Sequence, residues 1–309
     1  MKKKWSTIVA ALGMVVTMVF PSCEPMDADY WMYNSNITLN WAVANPETGR
    51  RPGDVSELHV RYFSQLDDEQ KVIIKVIRGS SQGYEISTGL YDIMAIQPNE
   101  YLTRTNEFKT MTFELPTHLN NRAETVISDI PEQMYYVGKV TSETLDIEVP
   151  LDTEVMMERI LKKLNFVVVV EEDVELIRPV TVDMSGMAFR KKLWNMEIGA
   201  LDEAVQIFNL NKHGRYLNQT TSLTAFIGST YCLGTCGRNI LYLTMYDADN
   251  KEVVLKYDVT PYLKDWNTFE ETVHIRVNLV GNEAEFIIEG WDTGNTSDII
   301  FDYQVNGEV

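Results

Sequence analysis

The sequence predicts an all-β protein composed of β-sandwiches. Apolar and polar residues alternate along much of the chain, as in strands that bury one face, and apolar residues at helical spacing are rare. Strands with one apolar face must pack that face against another sheet, which favours a sandwich. The chain of 309 residues is too long for one small sandwich and suits two.

The alternation places strands in both halves of the chain. It is clear at residues 37–43, 58–62 and 111–115, and again at residues 273–279 near the C-terminus. The β-branched run at 72–77 ends at a turn rich in glycine and serine, which predicts another strand.

Two further strands are predicted from other signals. Residues 89–96 form a short apolar segment, which the turn residues Pro98 and Asn99 close. The run of one phenylalanine and four valines at 166–170 has no polar interruption, so we expect a strand that is buried on both faces.

Two segments depart from the strand pattern. Residues 151–166 are predicted to begin as a helix, because four of their apolar residues lie near helical spacing. These residues are Met157, Ile160, Leu161 and Leu164. Residues 121–138 lack strong periodicity and are predicted to be a loop that crosses the first domain before its last strand.

The chain divides into four predicted parts. The main boundary is placed near Pro150, because an all-strand block precedes it and a new series of strands begins after it. The parts are a signal peptide at 1–22, an acidic tether at 23–34, an N-terminal β-sandwich at 35–150 and a C-terminal β-sandwich at 151–309.

The N-terminus has the organisation of a secretion signal. Three lysines at positions 2–4 precede an apolar stretch at 8–20, which is too short to span a bilayer stably. Ser22 and Cys23 follow, and a small residue before a cysteine at this point resembles the lipobox of bacterial lipoproteins. The resemblance implies a lipid on the Cys23 thiol and cleavage before it. An ordinary signal peptide that contains a cysteine is the alternative.

Lipidation would attach the mature N-terminus to a membrane. Each buried methylene contributes about 0.8 kcal/mol, so two or more acyl chains on Cys23 would anchor the protein stably. The acidic residues Glu24, Asp27 and Asp29 resemble the export tag that sends lipoproteins of the Bacteroidetes to the cell surface. We therefore expect a surface-exposed lipoprotein of the outer membrane. A solvated linker is the alternative interpretation of these acidic residues.

The charge of the chain excludes one class of partner. Removal of residues 1–22 leaves 287 of the 309 residues and takes the net charge from −18 to −21, because the signal contains three lysines and no acidic residue. Such a chain repels the phosphates of nucleic acids, so no nucleic-acid partner is predicted. A well-solvated surface is sufficient to explain the charge.

Cys232 and Cys236 remain if Cys23 is lipidated. Two ligands do not make a zinc site, and the four histidines are scattered along the chain, so no metal or other cofactor is predicted. In an oxidising compartment the pair could close a small disulfide across Gly234. Two reduced cysteines in a loop are the equal alternative.

No motif of a catalytic site is found in the sequence. It contains no nucleophile elbow, zinc-protease motif, phosphate-binding loop or dinucleotide fingerprint. Adjacent acidic residues at 67–69 and 171–173 lie at predicted turns and strand ends, and we interpret them as solvated faces. The acidic turn at 247–250 lacks the downstream acid that a calcium loop requires. The sequence therefore predicts that the protein is not an enzyme.

Several short segments occur together in a characteristic order. Besides the lipobox and its acidic tail, they lie at residues 37–41, 89–99, 180–189, 239–247, 256–263 and 286–291. In this order they resemble the FimA/Mfa-like fimbrillin superfamily of the Bacteroidales, most nearly its lipoprotein, anchor-like members. The resemblance covers most of residues 23–309.

The resemblance implies two tandem transthyretin-like β-sandwiches and a role in surface fimbriae. Stalk subunits of that superfamily assemble by strand exchange, in which a protease removes an N-terminal strand and a partner's strand fills the groove. Backbone hydrogen bonds supply the affinity of such β-augmentation. The expected partners are therefore outer-membrane lipid, through Cys23, and fimbrial subunits, through donor-strand insertion.

Arg50 is a candidate proteolytic site for this exchange. It lies in a predicted turn after the strand at 37–43, and Pro52 prevents cleavage directly after Arg51. A charged surface turn is the alternative interpretation. A subunit that keeps its first strand would act as the base or terminator of a fimbria.

We expect a cell-surface lipoprotein that acts as a fimbrial subunit in adhesion, most nearly an anchor or terminator. The alternative is a surface glycan-binding lipoprotein of a nutrient-uptake system. It rests on the same lipobox and on tryptophans that could stack on sugars, although strand aromatics are more often core residues. These tryptophans are Trp31, Trp41, Trp194, Trp266 and Trp291.

Overall fold

The structure, a computed structural model, is built almost entirely of β-strands. It describes residues 34–43, 57–65, 72–78, 81–103, 105–145, 151–172, 178–217, 222–246, 251–263, 266, 268–279 and 285–292. These residues contain nineteen strands, a 3₁₀ turn at Phe108–Thr110 and a four-residue helix, α1 (Thr260–Leu263). The predicted all-β, sandwich-like architecture is therefore confirmed.

The strands are numbered in chain order. They are β1 (Asn34–Val43), β2 (Glu57–Ser64), β3 (Val72–Arg78), β4 (Ser81–Ser87), β5 (Gly89–Ile96), β6 (Thr112–Glu114), β7 (Thr117–Leu119), β8 (Thr125–Ile127), β9 (Tyr136–Leu145), β10 (Leu151–Arg159), β11 (Lys162–Glu172), β12 (Val180–Ala188), β13 (Arg190–Lys192), β14 (Glu203–Leu217), β15 (Ser222–Cys232), β16 (Ile240–Tyr246), β17 (Glu252–Asp258), β18 (Glu270–Leu279) and β19 (Glu285–Asp292).

Seven strands form the first sheet, in the order β3-β2-β5-β9-β10-β1-β4. Neighbours are antiparallel except β1 and β10, which run parallel. Strands from both ends of this order contribute to one apolar core, so the sheet folds over on itself as a sandwich. That first core consists of Leu58, Val60, Tyr62, Ile77, Ile86, Tyr91, Ile93, Ala95, Leu145, Val155 and Met157.

Strand β5 is buried on both faces. Its residues Tyr91 and Ile93 pack in the first core, whereas Met94 and Ile96 pack in a second, larger core. Phe63, on the neighbouring strand β2, also lies in the larger core. This part of the first sheet therefore separates the two cores and contributes side chains to both.

Ten strands form the second sheet. Its main order is β17-β16-β12-β14-β15-β11-β18-β19, and β8 pairs with β14 and with β7 outside that order. Strand β14 pairs with β12 as far as Leu210 and with β15 from Asn211 onwards. Because one long strand serves both halves, the second sheet bends around the larger core.

Strand β11 lies inside the second sheet and is buried as expected. Residues 166–170 are all buried. The strand pairs antiparallel with β15 and parallel with β18. A strand with neighbours on both edges and apolar residues on both faces needs the continuous apolar run that the sequence has.

The helix predicted to begin within residues 151–166 is wrong. The chain instead forms β10, turns after Arg159 and begins β11 at Lys162. In β10, Val155 and Met157 are buried and Met156 is exposed, which is the alternation of a strand. Pairing with β1 and β9 decides this conformation, because tertiary pairing overrides weak local helix propensity.

The segment at 121–138, predicted to be a loop, is largely irregular but includes β8 and the first residues of β9. Strand β8 pairs with β7 and, through Val126, with Val205 of β14. Between β5 and β9 the chain therefore leaves the first sheet, contributes to the second and returns.

The change of sheet comes later than the domain boundary predicted near residue 150. Strand β10 begins at Leu151 but pairs with β9 and β1, so it belongs to the first sheet. The second sheet takes over at Lys162 with β11. The first sheet thus extends to Arg159, and the division into two tandem transthyretin-like domains stays a prediction.

A β-bulge interrupts β12 at Ser185 and Gly186, where the pairing with β14 shifts register. Gly186 has a φ of 69°, in the left-handed region. Asn239 Nδ2 donates to the carbonyl oxygens of Ser185, at 3.1 Å, and Gly186, at 2.8 Å. A Cβ at position 186 would lie 2.6 Å from the carbonyl oxygen of Arg238, so the bulge requires glycine.

We predict that Gly186→Ala lowers the free energy of unfolding by about 2–3 kcal/mol, because the new Cβ meets backbone and the φ is unfavourable. Urea denaturation measures the change. Ala123→Gly is the matched control, since Ala123 also has a positive φ, of 58°, but is exposed. It should leave stability unchanged or raise it by up to about 1 kcal/mol, because glycine relieves the left-handed φ. A loss of stability below about 0.5 kcal/mol for Gly186→Ala would contradict the conclusion that the bulge requires glycine.

Candidate functional site

Two predicted site residues, Cys23 and Arg50, lie outside the residues that the structure describes. Lipidation at Cys23 and proteolysis at Arg50 therefore stay predictions. Trp31 and the acidic turns at 67–69 and 247–250 lie outside them as well.

Cys232 and Cys236 are free thiols in the structure. The choice between a disulfide and two reduced cysteines stays a prediction. The Sγ of Cys232 donates to the carbonyl oxygen of Lys162 at 3.8 Å, and the Sγ of Cys236 donates to that of Met187 at 3.9 Å. The two thiols thus contact different strands. Burial raises the pKa of the Cys232 thiol to about 12, which keeps it protonated and unreactive.

Neither a metal site nor a membrane-spanning helix is present in the described part of the chain. No three or more histidine, cysteine or acidic side chains there are grouped so that they could hold a metal ion. No helix there has the length and apolar character to cross a membrane.

The tryptophan side chains that the structure describes, those of Trp194 and Trp266, are half-buried and pack against the larger core. A lysine lies over each ring. Lys109 Nζ is 5.9 Å from the Trp194 centroid, and Lys162 Nζ is 4.7 Å from the Trp266 centroid. Each ring therefore contacts both the larger core and a cation.

Strand β1 is the element that donor-strand assembly would concern, and it lies inside the first sheet. Its residues from Ile37 to Val43 pair with β10 along one edge. Its residues from Asn34 to Asn40 pair with β4 along the other edge. The same chain therefore supplies hydrogen-bonding neighbours on both edges of β1.

We call the space that β1 occupies between β10 and β4 the β1 slot. Ile86 on β4 and Val155 and Met157 on β10 flank it and are buried in the first core. Without β1, these side chains and two unpaired backbone edges would be exposed, and such a groove accepts an extended strand. The connection from β1 to β2 contains Arg50, so cleavage there would separate β1 covalently from the rest of the chain.

A buried lysine that sequence reasoning missed lies beside the turn from β10 to β11. Lys191 is 6% exposed, and its Nζ donates to the carbonyl oxygen of Ile160 at 2.9 Å. Burial, assisted by the nearby positive charge of Lys162, lowers the pKa of Lys191 to about 8. In a run of three basic residues nothing indicates which one is buried, so the sequence carries no signal for it.

Comparison with known proteins finds similarity at the level of structure. No protein-family model matches the sequence, and no curated protein matches it. The fimbrial anchor protein Mfa2 from Porphyromonas gingivalis aligns with a TM-score of 0.52 and 11% identity, over 84% of this chain and 96% of that chain.

Two solved proteins from Bacteroides thetaiotaomicron show similar agreement. One, a candidate adhesin, has a TM-score of 0.55 and 10% identity, over 82% of this chain and 96% of that chain. The other, a candidate polysaccharide-binding protein, has a TM-score of 0.54 and 13% identity, over 85% of this chain and 99% of that chain. At these identities the matches show the fold alone, and they confirm the resemblance to fimbrillin-like proteins at that level.

We predict that Lys191 makes stability depend on pH between about 8 and 10.5. In this interval the folded protein holds Lys191 neutral, whereas the unfolded chain keeps it protonated up to its ordinary pKa of 10.5. The contribution of Lys191 to the free energy of unfolding should therefore rise by about 3 kcal/mol across the interval and be constant below it. The difference between wild type and Lys191→Met in urea denaturation measures this contribution.

Taking the difference removes an opposite effect of Cys232, whose raised pKa makes the folded state less stable as the pH rises above 9. Lys192→Met is the matched control, because Lys192 lies on the same strand but is exposed. Its difference from wild type should not change with pH. If the difference in unfolding free energy between wild type and Lys191→Met is also independent of pH, Lys191 does not have the lowered pKa assigned to it.

Proposed function

We propose that this chain, which shares its fold with the fimbrial anchor protein Mfa2 and with candidate adhesins of Bacteroides, is a cell-surface fimbrial subunit that acts in adhesion. Within a fimbria we assign it to the base or terminus. We propose no catalytic activity for it. The fold similarity supports the general role, and the state of the first strand carries the finer assignment.

The observation that carries the anchor assignment is the occupied β1 slot. Strand β1 is paired on both edges by strands of its own chain, and both of these neighbours, β10 and β4, carry residues of the first core. A subunit in this state offers no open groove to a donor strand. It can terminate a fimbria or anchor its base. A stalk subunit, in contrast, must first lose its N-terminal strand so that a donor strand can enter.

The predicted anchor is the lipid on Cys23. Two or more acyl chains attached there would hold the protein in the outer membrane. The acidic residues that follow would form a solvated tether between the lipid and the folded part of the protein at the cell surface. Outer-membrane lipid and neighbouring fimbrial subunits are thus the partners in this proposal.

We predict that the mature protein begins at Cys23, carries acyl mass and is accessible to protease on intact cells. Intact-mass measurement and surface proteolysis of native cells test both points. Cys23→Ala should abolish the acyl mass and release the protein from the membrane. Cys236→Ala is the control and should leave both unchanged. A soluble, unacylated wild-type protein would contradict the anchor, and a mature chain that begins after Arg50 would make it a stalk or tip subunit.

We also predict that β1 can be exchanged only after the chain is cut between β1 and β2. A variant in which residues 46–53 are replaced by a specific protease site is compared before and after cleavage. After cleavage, the amount of bound labelled peptide of residues 34–43 should be at least about tenfold higher than for the uncut protein, because only the cut strand can leave the slot. The exchange should be slow, since the original strand must dissociate first.

A scrambled peptide of the same composition is the control, since it lacks the apolar and polar alternation of the β1 sequence. Equal uptake by cut and uncut protein would show that the slot is not closed by β1. No uptake after cleavage would remove strand exchange from the proposal.

A further inference from the structure

A groove of about 740 Å³, lined mostly by polar and charged residues, lies over the two-stranded ribbon of β6 and β13, apart from the β1 slot. Neighbouring segments extend the ribbon on both sides. The Thr103 N–H donates to the carbonyl oxygen of Thr112 at 3.1 Å, and the Lys192 N–H donates to that of Glu197 at 2.9 Å. The floor is therefore a small, backbone-bonded platform, and the volume is within the range of small-molecule sites.

Strand alternation makes this floor polar. Phe113 and Lys191 are opposite each other in the ribbon, and both are buried on the core side. The next pair along the ribbon, Glu114 and Arg190, therefore faces the groove, with Lys192 on the same side. One side of the ribbon thus completes the larger core, and the other carries groups that can form hydrogen bonds.

The groove's polar groups are held in place before any ligand binds. Arg190 Nη2 donates to Asp202 Oδ1 at 2.5 Å, and Arg190 Nη1 lies 3.7 Å from Glu114 Oε1. The Thr112 hydroxyl donates to Glu114 Oε1 at 3.0 Å. Asp202 also accepts from the Gly199 N–H at 3.1 Å. Such preorganisation lowers the entropy cost of binding.

The charges in and beside the groove nearly cancel. Three cations line it, Lys109, Arg190 and Lys192, together with the carboxylates of Glu114 and Asp202. A third carboxylate, that of Glu197, lies 3.6 Å from Lys192 Nζ. Because Arg190 and Lys192 are already paired with carboxylates, an anionic ligand would gain little local attraction, and the chain's charge of −18 would repel it. An uncharged ligand fits this balance better.

The remaining lining groups match a ligand that both donates and accepts hydrogen bonds. Threonine hydroxyls lie along the groove, including those of Thr103, Thr105 and Thr110. Leu201, at one rim, is 93% exposed and offers an aliphatic surface. Neighbouring sugar hydroxyls need acceptors and donors side by side, and carboxylates next to a guanidinium supply them.

We propose that this groove binds an uncharged oligosaccharide. Carboxylates and threonine hydroxyls accept hydrogen bonds from its hydroxyl groups, the lysines and Arg190 donate to them, and Leu201 packs against a sugar C–H face. The groove includes neither Cys23 nor a residue of the β1 slot. Oligosaccharide binding can therefore be tested independently of the fimbrial role.

The test is a glycan array with uncharged and acidic oligosaccharides, probed with the full-length protein purified from expressing cells. Wild type should bind one or more uncharged members, and added salt should weaken that binding little, because no net charge is neutralised. The double variant Glu114→Gln/Lys192→Gln should lose at least about tenfold in affinity, since two charged hydrogen-bonding partners are removed. Circular dichroism verifies that it is folded.

Two further variants make the result decisive. Glu252→Gln/Lys256→Gln, on the exposed side of β17, is the matched control and should bind as wild type does. Leu201→Ser changes a side chain that contributes nothing to the core and should weaken binding without affecting the fold. A flat array, binding of acidic members only, or equal binding by the groove double variant would overturn the proposal.

Discussion

The backbone hydrogen bonds between β1 and the parallel strand β10 hold together the two ends of the chain that forms the first sheet. They join Ile37 to Leu151, across more than a hundred residues of sequence. In the sheet order, β4 is reached only through β1, so loss of β1 would detach β4 from the sheet and open the first core. Assembly by strand exchange would use this same dependence, because whichever strand fills the slot completes the sheet.

The second sheet repeats the arrangement, with β11 parallel to β18. The two sheets meet at the tight turn between β10 and β11, where Ile160 and Leu161 are buried. A buried carbonyl needs a donor, and Lys191 supplies it to Ile160. A buried lysine costs stability, as its lowered pKa indicates, but it fixes the point at which the chain passes from one core to the other.

The groove over β6 and β13 depends on the same connection between the sheets. Its residues come from two places far apart in sequence, 103–114 and 190–202, on opposite sides of the predicted domain boundary. The crossing segment between β5 and β9 brings them together, and the larger core supports the ribbon from below. Assembly through the β1 slot and recognition at the groove would therefore use separate surfaces of the same chain.

The sequence by itself determined the elements whose burial is local in origin. Alternation located the strands at 37–43, 58–62, 111–115 and 273–279, because side chains alternate in a strand whatever its partners are. The run at 166–170 identified a strand that is buried on both faces. Only the tertiary structure decided that residues 151–159 are a strand of the first sheet, that Lys191 is the buried member of a basic run, and that residues 103–114 meet residues 190–202. Each of these outcomes depends on pairing with residues distant in the sequence, and local patterns carry no information about which distant strand supplies the partner.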